Sequence, residues 1–262
     1  MSRQREALPG VLFAPLSPLL EQIPLAPDPA ALDFLLAGRD LRTASGRRVS
    51  FAPPADDGLD YETRIWRSGV VATRPGNWHD FFNALVWLTF PRSKAALNAG
   101  HVAGLAQSRR IGRRGSLRDA ITHFDECGAL VVASDPSLLA LLRAFQWREL
   151  FWDRRLDFLC KARCFVFGHA TYEQLLQPFR GLTAKAVLYE VGAEWLEKPL
   201  VEQLAALDER LSGNLAAGAC QEAKHFQPLP LLGLPGVTPA NACADYYDDR
   251  WQFRPGRRAA GV

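Results

Sequence analysis

The spacing of apolar and polar positions changes character several times along the chain, and each change predicts an element. Asp28, Pro29 and the run AALDFLLAG predict a capped helix that ends near Gly38. From Tyr61, YETRIWRSGVVATR mixes aromatic, β-branched and charged residues in an alternation that reads as a strand or an extended approach to the central segment. Asn77 is an N-cap for the run Trp78 to Phe90, whose apolar residues at 78, 81, 82, 85, 86, 88 and 90 predict a helix buried on most of its circumference. Pro91 fits the first turn of a second helix through SKAALNAGHVAGLAQ. Ser116, followed three residues later by Asp119, predicts a helix from Leu117 to about Glu126 with Gly128 as its stop. A strand over ALVVA comes next, then a helix opened by Asp135 and Pro136 and running through LLALLRAFQWRELFW. The run Cys164 to Gly168 reads as a buried strand that delivers His169 to the start of the helix TYEQLLQ, and Thr183 reads as a cap for the segment carrying Lys185. Leu200, Leu204, Leu207, Leu211 and Leu215 follow Pro199 at helical spacing. From Gln227 onward Pro and Gly enforce irregular backbone, while the apolar residues between them require packing on the body.

These elements predict an α+β fold, a helix-rich single domain with a small buried sheet and an irregular Pro/Gly-rich C-terminal segment wrapped on the body. Residues 1–55 read as an N-terminal wrapping segment, 56–255 as the main domain and 256–262 as a disordered tail. With 48% hydrophobic residues in 262, disorder of the whole chain is excluded. A net charge of +3 is too small to imply a nucleic-acid binder by balance, so only local clusters matter. Glu6, Pro9, Pro15, Pro18 and Glu21 interrupt the apolar run that an export signal needs, and no window approaches the roughly 20 apolar residues of a membrane span. Five cysteines without CxxC spacing fit reduced thiols in a cytoplasm, with Cys160 and Cys164 as core thiols.

The candidate chemistry lies mostly between Arg74 and His101, where few polar residues are set in an apolar background. His79 and Asn83 are four apart on one helix, with Asp80 in its first turn; Lys94, Asn98 and His101 fall at i, i+4 and i+7 on the next. In a hairpin of these helices one cleft gathers two imidazoles, an ammonium and two amides, which suits an anionic or phosphorylated ligand. The structural reading of the second stripe is a solvated helix face. The basic stretch RRIGRRGSLR, with Arg114 at its centre, can hold phosphate and makes nucleic acid a second candidate partner, but GRRGS lacks the lysine of a P-loop. Asp119, His123 and Glu126 share one face of a helix whose other face is apolar, so solvation explains them and no metal-ligand set is assigned. His169, with Glu173 one turn on, stands where a strand hands over to a helix. Nucleophile-elbow, zincin and dinucleotide fingerprints are absent, and the pattern names no cofactor and no oligomeric state.

The segments NWHDFFNALVWLTFP, FDECG, LTAK, LPLLGLPGVTPAN and YYDDRWQFRP, in that order, resemble a bacterial family described as domain of unknown function 3025, over roughly Tyr61 to Pro255. The resemblance implies shared architecture and a cytoplasmic bacterial setting, and carries no activity. Its pattern highlights Glu62, Asn77, Trp78, His79, Asp80, Asn83, Lys94, Asn98, Asp125, Glu126, His169 and Lys185, whereas His123 departs from it. The function expected is that of a hydrolase on a phosphorylated or nucleic-acid substrate. His79, Asp80 and His169 are its acid–base groups, and Asn83, Lys94, Asn98, His101 and Arg114 hold the substrate. The alternative is a non-catalytic binding or scaffold protein, whose polar residues lock a buried helix pair.

Overall fold

The computed structural model describes residues 10–111, 116–218 and 222–256, with side chains at 106–111, 116–118 and 223 outside the description. Helix starts follow from local capping chemistry. Asp28 accepts from Ala30 N to open α1 (Pro29–Leu36), Asp60 accepts from Thr63 N to open α2 (Tyr61–Ser68), and Asn77 accepts from Asp80 N to open α3 (Trp78–Thr89). Helix α4 (Pro91–Ile111) restarts directly after Phe90, because Pro91 at the first position has no N–H to leave unsatisfied. The stretch from Tyr61, expected as extended, is therefore helical up to Ser68. Of its charged residues only Arg67 faces outward; Glu62 and Arg64 turn inward to Asn98 and Asp57, and Asp60 caps the helix. Gly69, at φ 80°, ends that helix in the left-handed region, and a Cβ there would lie 2.0 Å from Arg48 O. The turn feeds β2 (Val70–Ala72), which pairs in parallel with β1 (Ser50–Ala52).

Helix α5 (Ser116–Cys127) runs straight into β3 (Gly128–Ala133), whose six residues are all buried. Helix α6 (Pro136–Arg143) ends sooner than the apolar pattern predicts: Phe145 takes φ 57°, and the chain re-forms as a π turn at Glu149–Asp153 before α7 (Arg155–Lys161). Strand β4 (Ala162–Val166) leads to α8 (His169–Gln174). Thr183, expected as a cap, instead begins β5 (Thr183–Glu190), and Leu200–Ala216 is α9. With β6 (Gln227–Pro230) the strands form one sheet in the order β4-β3-β5-β6. β3 is parallel to β5 and antiparallel to β4, and β5 is antiparallel to β6. The fold is thus the α+β, helix-rich architecture that the periodicity predicts.

The sheet and α3 share a core of large side chains, among them Phe82, Trp87, Phe124, Phe167 and Tyr172. The C-terminal segment is three 3₁₀ turns pinned on that body. Asn241 donates to Leu232 O and Leu234 O and accepts from Arg155, while Tyr247 packs between Phe151 and Phe253. Cys164 is buried as expected, but Cys160 is exposed, on the outer side of α7. The last residues, 257–262, lie outside the described residues. No helix among the described residues is long and apolar enough to cross a membrane.

One close approach holds the start of β3 against the end of β4. Phe167 N and Gly168 N both donate to Gly128 O, at 2.9 and 2.8 Å, and a Cβ on Gly168 would lie 2.4 Å from Glu126 O and 2.5 Å from Gly128 N. Because those atoms are backbone, the strain has nowhere to go cheaply. Gly168→Ala is expected to lower stability by about 1–3 kcal/mol in urea unfolding, the range for overpacked sites; an unchanged midpoint would contradict the tight crossing.

Candidate metal centre

Strand register builds the centre. Ala129 on β3 pairs antiparallel with Val166 on β4, so the residue three before the first and the residue three after the second, Glu126 and His169, arrive at the same end of the sheet. Helix α3 lies across α8 and brings His79, in its first turn, to the same point. His79 Nε2 and His169 Nε2 are 3.0 Å apart with their rings at 78°. Glu126 Oε2 is 3.7 Å from His169 Nε2 and 4.0 Å from His79 Nε2. The three donor atoms enclose a point that one ion could occupy, and among the described residues no other set of His, Cys, Asp and Glu does so. With zinc bonds of about 2.0–2.1 Å, neighbouring ligand atoms sit roughly 3.3 Å apart in a tetrahedron. The observed triangle brackets that spacing.

Each imidazole is backed on its far side by a carboxylate. Glu173, one turn after His169 on α8, takes a hydrogen bond from His79 Nδ1 at 3.0 Å; in a neutral ring with this tautomer the lone pair lies on Nε2. His169 Nδ1 is buried, has no hydrogen-bond partner and faces Asp125 Oδ2 at 3.9 Å. Burial pushes the His169 pKa down to about 3 against the attraction of Asp125, so the ring is neutral, as a metal ligand must be. Two proton placements are open to this ring. With the proton on Nε2 it donates to His79, and a bare Nδ1 lone pair then faces a buried carboxylate. With the proton on Nδ1 it faces Asp125 favourably, and two Nε2 lone pairs and the Glu126 carboxylate converge on one point, where a metal ion or an added proton on His79 satisfies them. Burial and the neighbouring carboxylates Asp125 and Glu173 raise the Glu126 pKa, although His79 opposes this.

Beneath the triangle lies a buried polar layer. Lys94 Nζ donates to Asp125 Oδ1, and the ammonium also stands 5.8 Å from the centre of the Trp87 ring. Burial alone would raise the Asp125 pKa, but the groups around it, Lys94 foremost, together outweigh it and hold the carboxyl below its usual range. Asn98 Nδ2 donates to Glu62 O at 2.9 Å and to Glu62 Oε2 at 2.7 Å, and His101 Nε2 is 3.8 Å from Glu62 Oε1. Asn83 Nδ2 donates to Tyr61 OH at 2.6 Å. Asn83, Lys94, Asn98 and His101 are only 5, 3, 2 and 5% exposed, so the solvated-face reading of the second stripe does not hold. These four residues tie α3 and α4 to α2 and α5, one layer behind His79.

Asp80 belongs to neither layer. It accepts from Arg74 N, Nε and Nη2 at 2.8, 2.7 and 3.0 Å, bonds that outweigh its burial and lower its pKa. The sequence reading pairs Asp80 or His169 with His79; the ring in fact meets His169 and Glu173, while the Asp80 carboxylate is committed to Arg74. Arg114 lies outside the described residues. The helix that comes after it puts Ser116 and Glu126 at opposite ends, about 15 Å apart along the axis. Asp119 and His123 are exposed on α5, and Glu126 turns away from them toward the imidazoles. Glu126, Asp125, Glu62 and Glu173 are not assigned to the site from the sequence, although the family pattern highlights the first three. The signal for the first two was present: two consecutive acids at a helix C-terminus oppose the dipole and need a partner.

Glu62 offers a test of the buried layer. Burial and the nearby Asp125 push its pKa up to about 7 from 4.5. The unfolded chain therefore ionises first, and the stability this carboxyl contributes is present below pH 4.5 and lost as pH rises through about 7. Glu62→Gln keeps an acceptor for Asn98 and removes the titration. The variant should gain stability over the parent between these pH values, reaching about 3 kcal/mol at most. Melting curves at pH 4, 6 and 8 that stay parallel would rule out a buried Glu62 carboxyl.

No curated protein and no solved structure is detectably similar to the chain. The family described as "Protein of unknown function (DUF3025)" matches residues 49–257, a span that contains every residue of the triangle, its carboxylate backing and the buried layer. The chain belongs to that family.

Proposed function

We propose that this protein is a metal-dependent hydrolase whose centre is the triangle of His79, Glu126 and His169. The observation that carries the reading is the convergence of three lone pairs on one point, with a buried His169 Nδ1 that only the metal-ligating tautomer aims favourably at Asp125. Two imidazoles and one carboxylate, with a further position left open, are a donor set of catalytic zinc sites. A dication held there supplies Lewis acidity and brings the pKa of a water to about 7. The separations of 3.7 and 4.0 Å between Glu126 and the imidazoles leave room for a tetrahedral ion, and the 3.0 Å between the two imidazoles for an octahedral one. An octahedral facial set has cis ligands only about 3 Å apart. Charge points the same way: Asp125, Glu126 and Glu173 face a single ammonium, Lys94, and a dication offsets the remainder.

The protein's own groups have distinct tasks in this reading. Glu173 and Asp125 orient the two rings through Nδ1, as outer-shell carboxylates do at histidine–metal sites. Lys94 keeps Asp125 ionised. Glu173 is 45% exposed and His79 33%, so substrate and water reach the ion from their side while His169 forms the floor. An anionic ester, as the sequence reading expects, would meet a centre whose charge the ion has offset, and its anion would not be held by Lys94, which is buried and paired.

The test is metal binding first and turnover second. Chelator-stripped protein titrated with Zn²⁺ should bind one ion, and at a hundredfold excess over Kd the ion should add about 2.7 kcal/mol of stability. His79→Ala, His169→Ala and Glu126→Ala should each abolish that stabilisation, and Glu173→Gln should weaken binding about 10–100-fold. Zinc-loaded protein should then hydrolyse members of a panel of phosphate monoesters, phosphodiesters and carboxylic esters, with loss on chelation and in His79→Ala. A triple variant that binds zinc as the parent does would refute the centre; binding without turnover of any ester would leave a metal-binding protein and refute the hydrolase.

A further inference from the structure

The outer edge of the sheet carries a trough that shares no residue with the histidine centre. It runs along β4 between the helical turn Gly10–Phe13, the end of α7 and the start of α9, and encloses about 470 Å³, a volume suited to a small organic ligand. Its floor and walls are apolar, with Phe158, Leu159, Phe165 and Leu234 in place, and Val11 and Leu159 stand 52 and 46% exposed at the rim. Two cations, Arg163 and Lys198, also line it, and among the described residues no acidic residue does.

That imbalance separates this trough from the larger groove of about 650 Å³ between α9 and the junction of α3 with α4. In the larger groove Arg92 lies 3.7 Å from Glu209, and Asp208 is taken up by the backbone N–H groups of Arg92 and Ser93, so that groove, which Arg39 also lines, carries two acids of its own. In the trough Arg163 donates only to the carbonyls of Leu159 and Ala162, and among the described residues neither Arg163 nor Lys198 forms an ion pair. Carbonyls orient a guanidinium without neutralising it. An apolar channel beside two uncompensated cations is complementary to a molecule with an alkyl chain and one anionic head.

We propose that this trough binds a single-chain amphipathic anion, its alkyl chain laid over Leu159, Phe165 and Leu234 and its carboxylate or phosphate held by Arg163 and Lys198. The site is independent of the metal centre and of the hydrolase reading. Titration calorimetry of the full chain with decanoate, decyl phosphate, decanol and decyltrimethylammonium, each below its micelle concentration, tests it. Decanoate or decyl phosphate should bind with one-to-one stoichiometry, the better of the two identifying the head group, and the cationic amphiphile should bind at least roughly tenfold more weakly. Arg163→Ala with Lys198→Ala should weaken the anion by roughly tenfold or more while leaving decanol unchanged. Leu159→Ser should weaken the anion and decanol alike, and circular dichroism will show that each variant is folded. Equal binding of anionic and cationic amphiphiles, or wild-type affinity for decanoate and decyl phosphate in the double variant, would overturn the proposal.

Discussion

A charge placed where water cannot reach must be paired, and Asp125 is the charge on which this structure turns. It is 9% exposed at the end of α5, a helix terminus that already repels an anion. Lys94 meets it from α4, itself only 3% exposed. Losing either partner would leave the other buried and alone, a situation that costs about 3–5 kcal/mol. The pair therefore fixes α4 against α5. Because α5 continues without a loop into β3, the same pair fixes the end of the sheet where β4 hands over to His169. The second oxygen of Asp125 faces that histidine. One ion pair thus sets helix packing, strand position and the surroundings of the ring.

Local chemistry was legible in the sequence, and long-range pairing was not. Asp28, Asn77 and Asp135 each sit before an apolar run and cap it as their side chains predict. The stripe of Lys94, Asn98 and His101 does lie on one helix face, since spacing alone decides that. What spacing cannot decide is whether a polar face meets water or other polar groups. The partner of Asn98 and His101 is Glu62, which lies in a stretch whose mixed pattern disguises a short amphipathic helix. Without that helix the stripe has nothing to face and reads as solvated.

His169 illustrates the same limit from the other direction. Its position after a buried strand marks it for attention, but its neighbours depend on the antiparallel register of β3 and β4, which joins residues some forty apart in sequence. By spacing, Glu126 groups with Asp119 and His123 because all three share a helical face; the close crossing at Gly168 lifts it out of that set and turns it to the imidazoles. A helix face is a property of seven or eight residues. A site built from α3, α5 and α8 belongs to the sheet that holds them together.

The two polar layers differ in a way that separates architecture from chemistry. A group that serves only to lock helices gains from exclusion of water, and Asn83, Lys94, Asn98 and His101 satisfy that requirement. The triangle does not. His79 and Glu126 keep about a third of their side-chain surface, and their polar atoms converge on one another. Three converging acceptors, two of them partly exposed, stabilise nothing by themselves, because each would be better solvated or paired apart. Such an arrangement becomes favourable when a cation occupies its centre, and the rigid layer beneath, anchored by Lys94 and Asp125, supplies the constraint that holds the acceptors together against their own repulsion. On the proposed metal-centre reading the buried residues stand to the exposed ones as support to site.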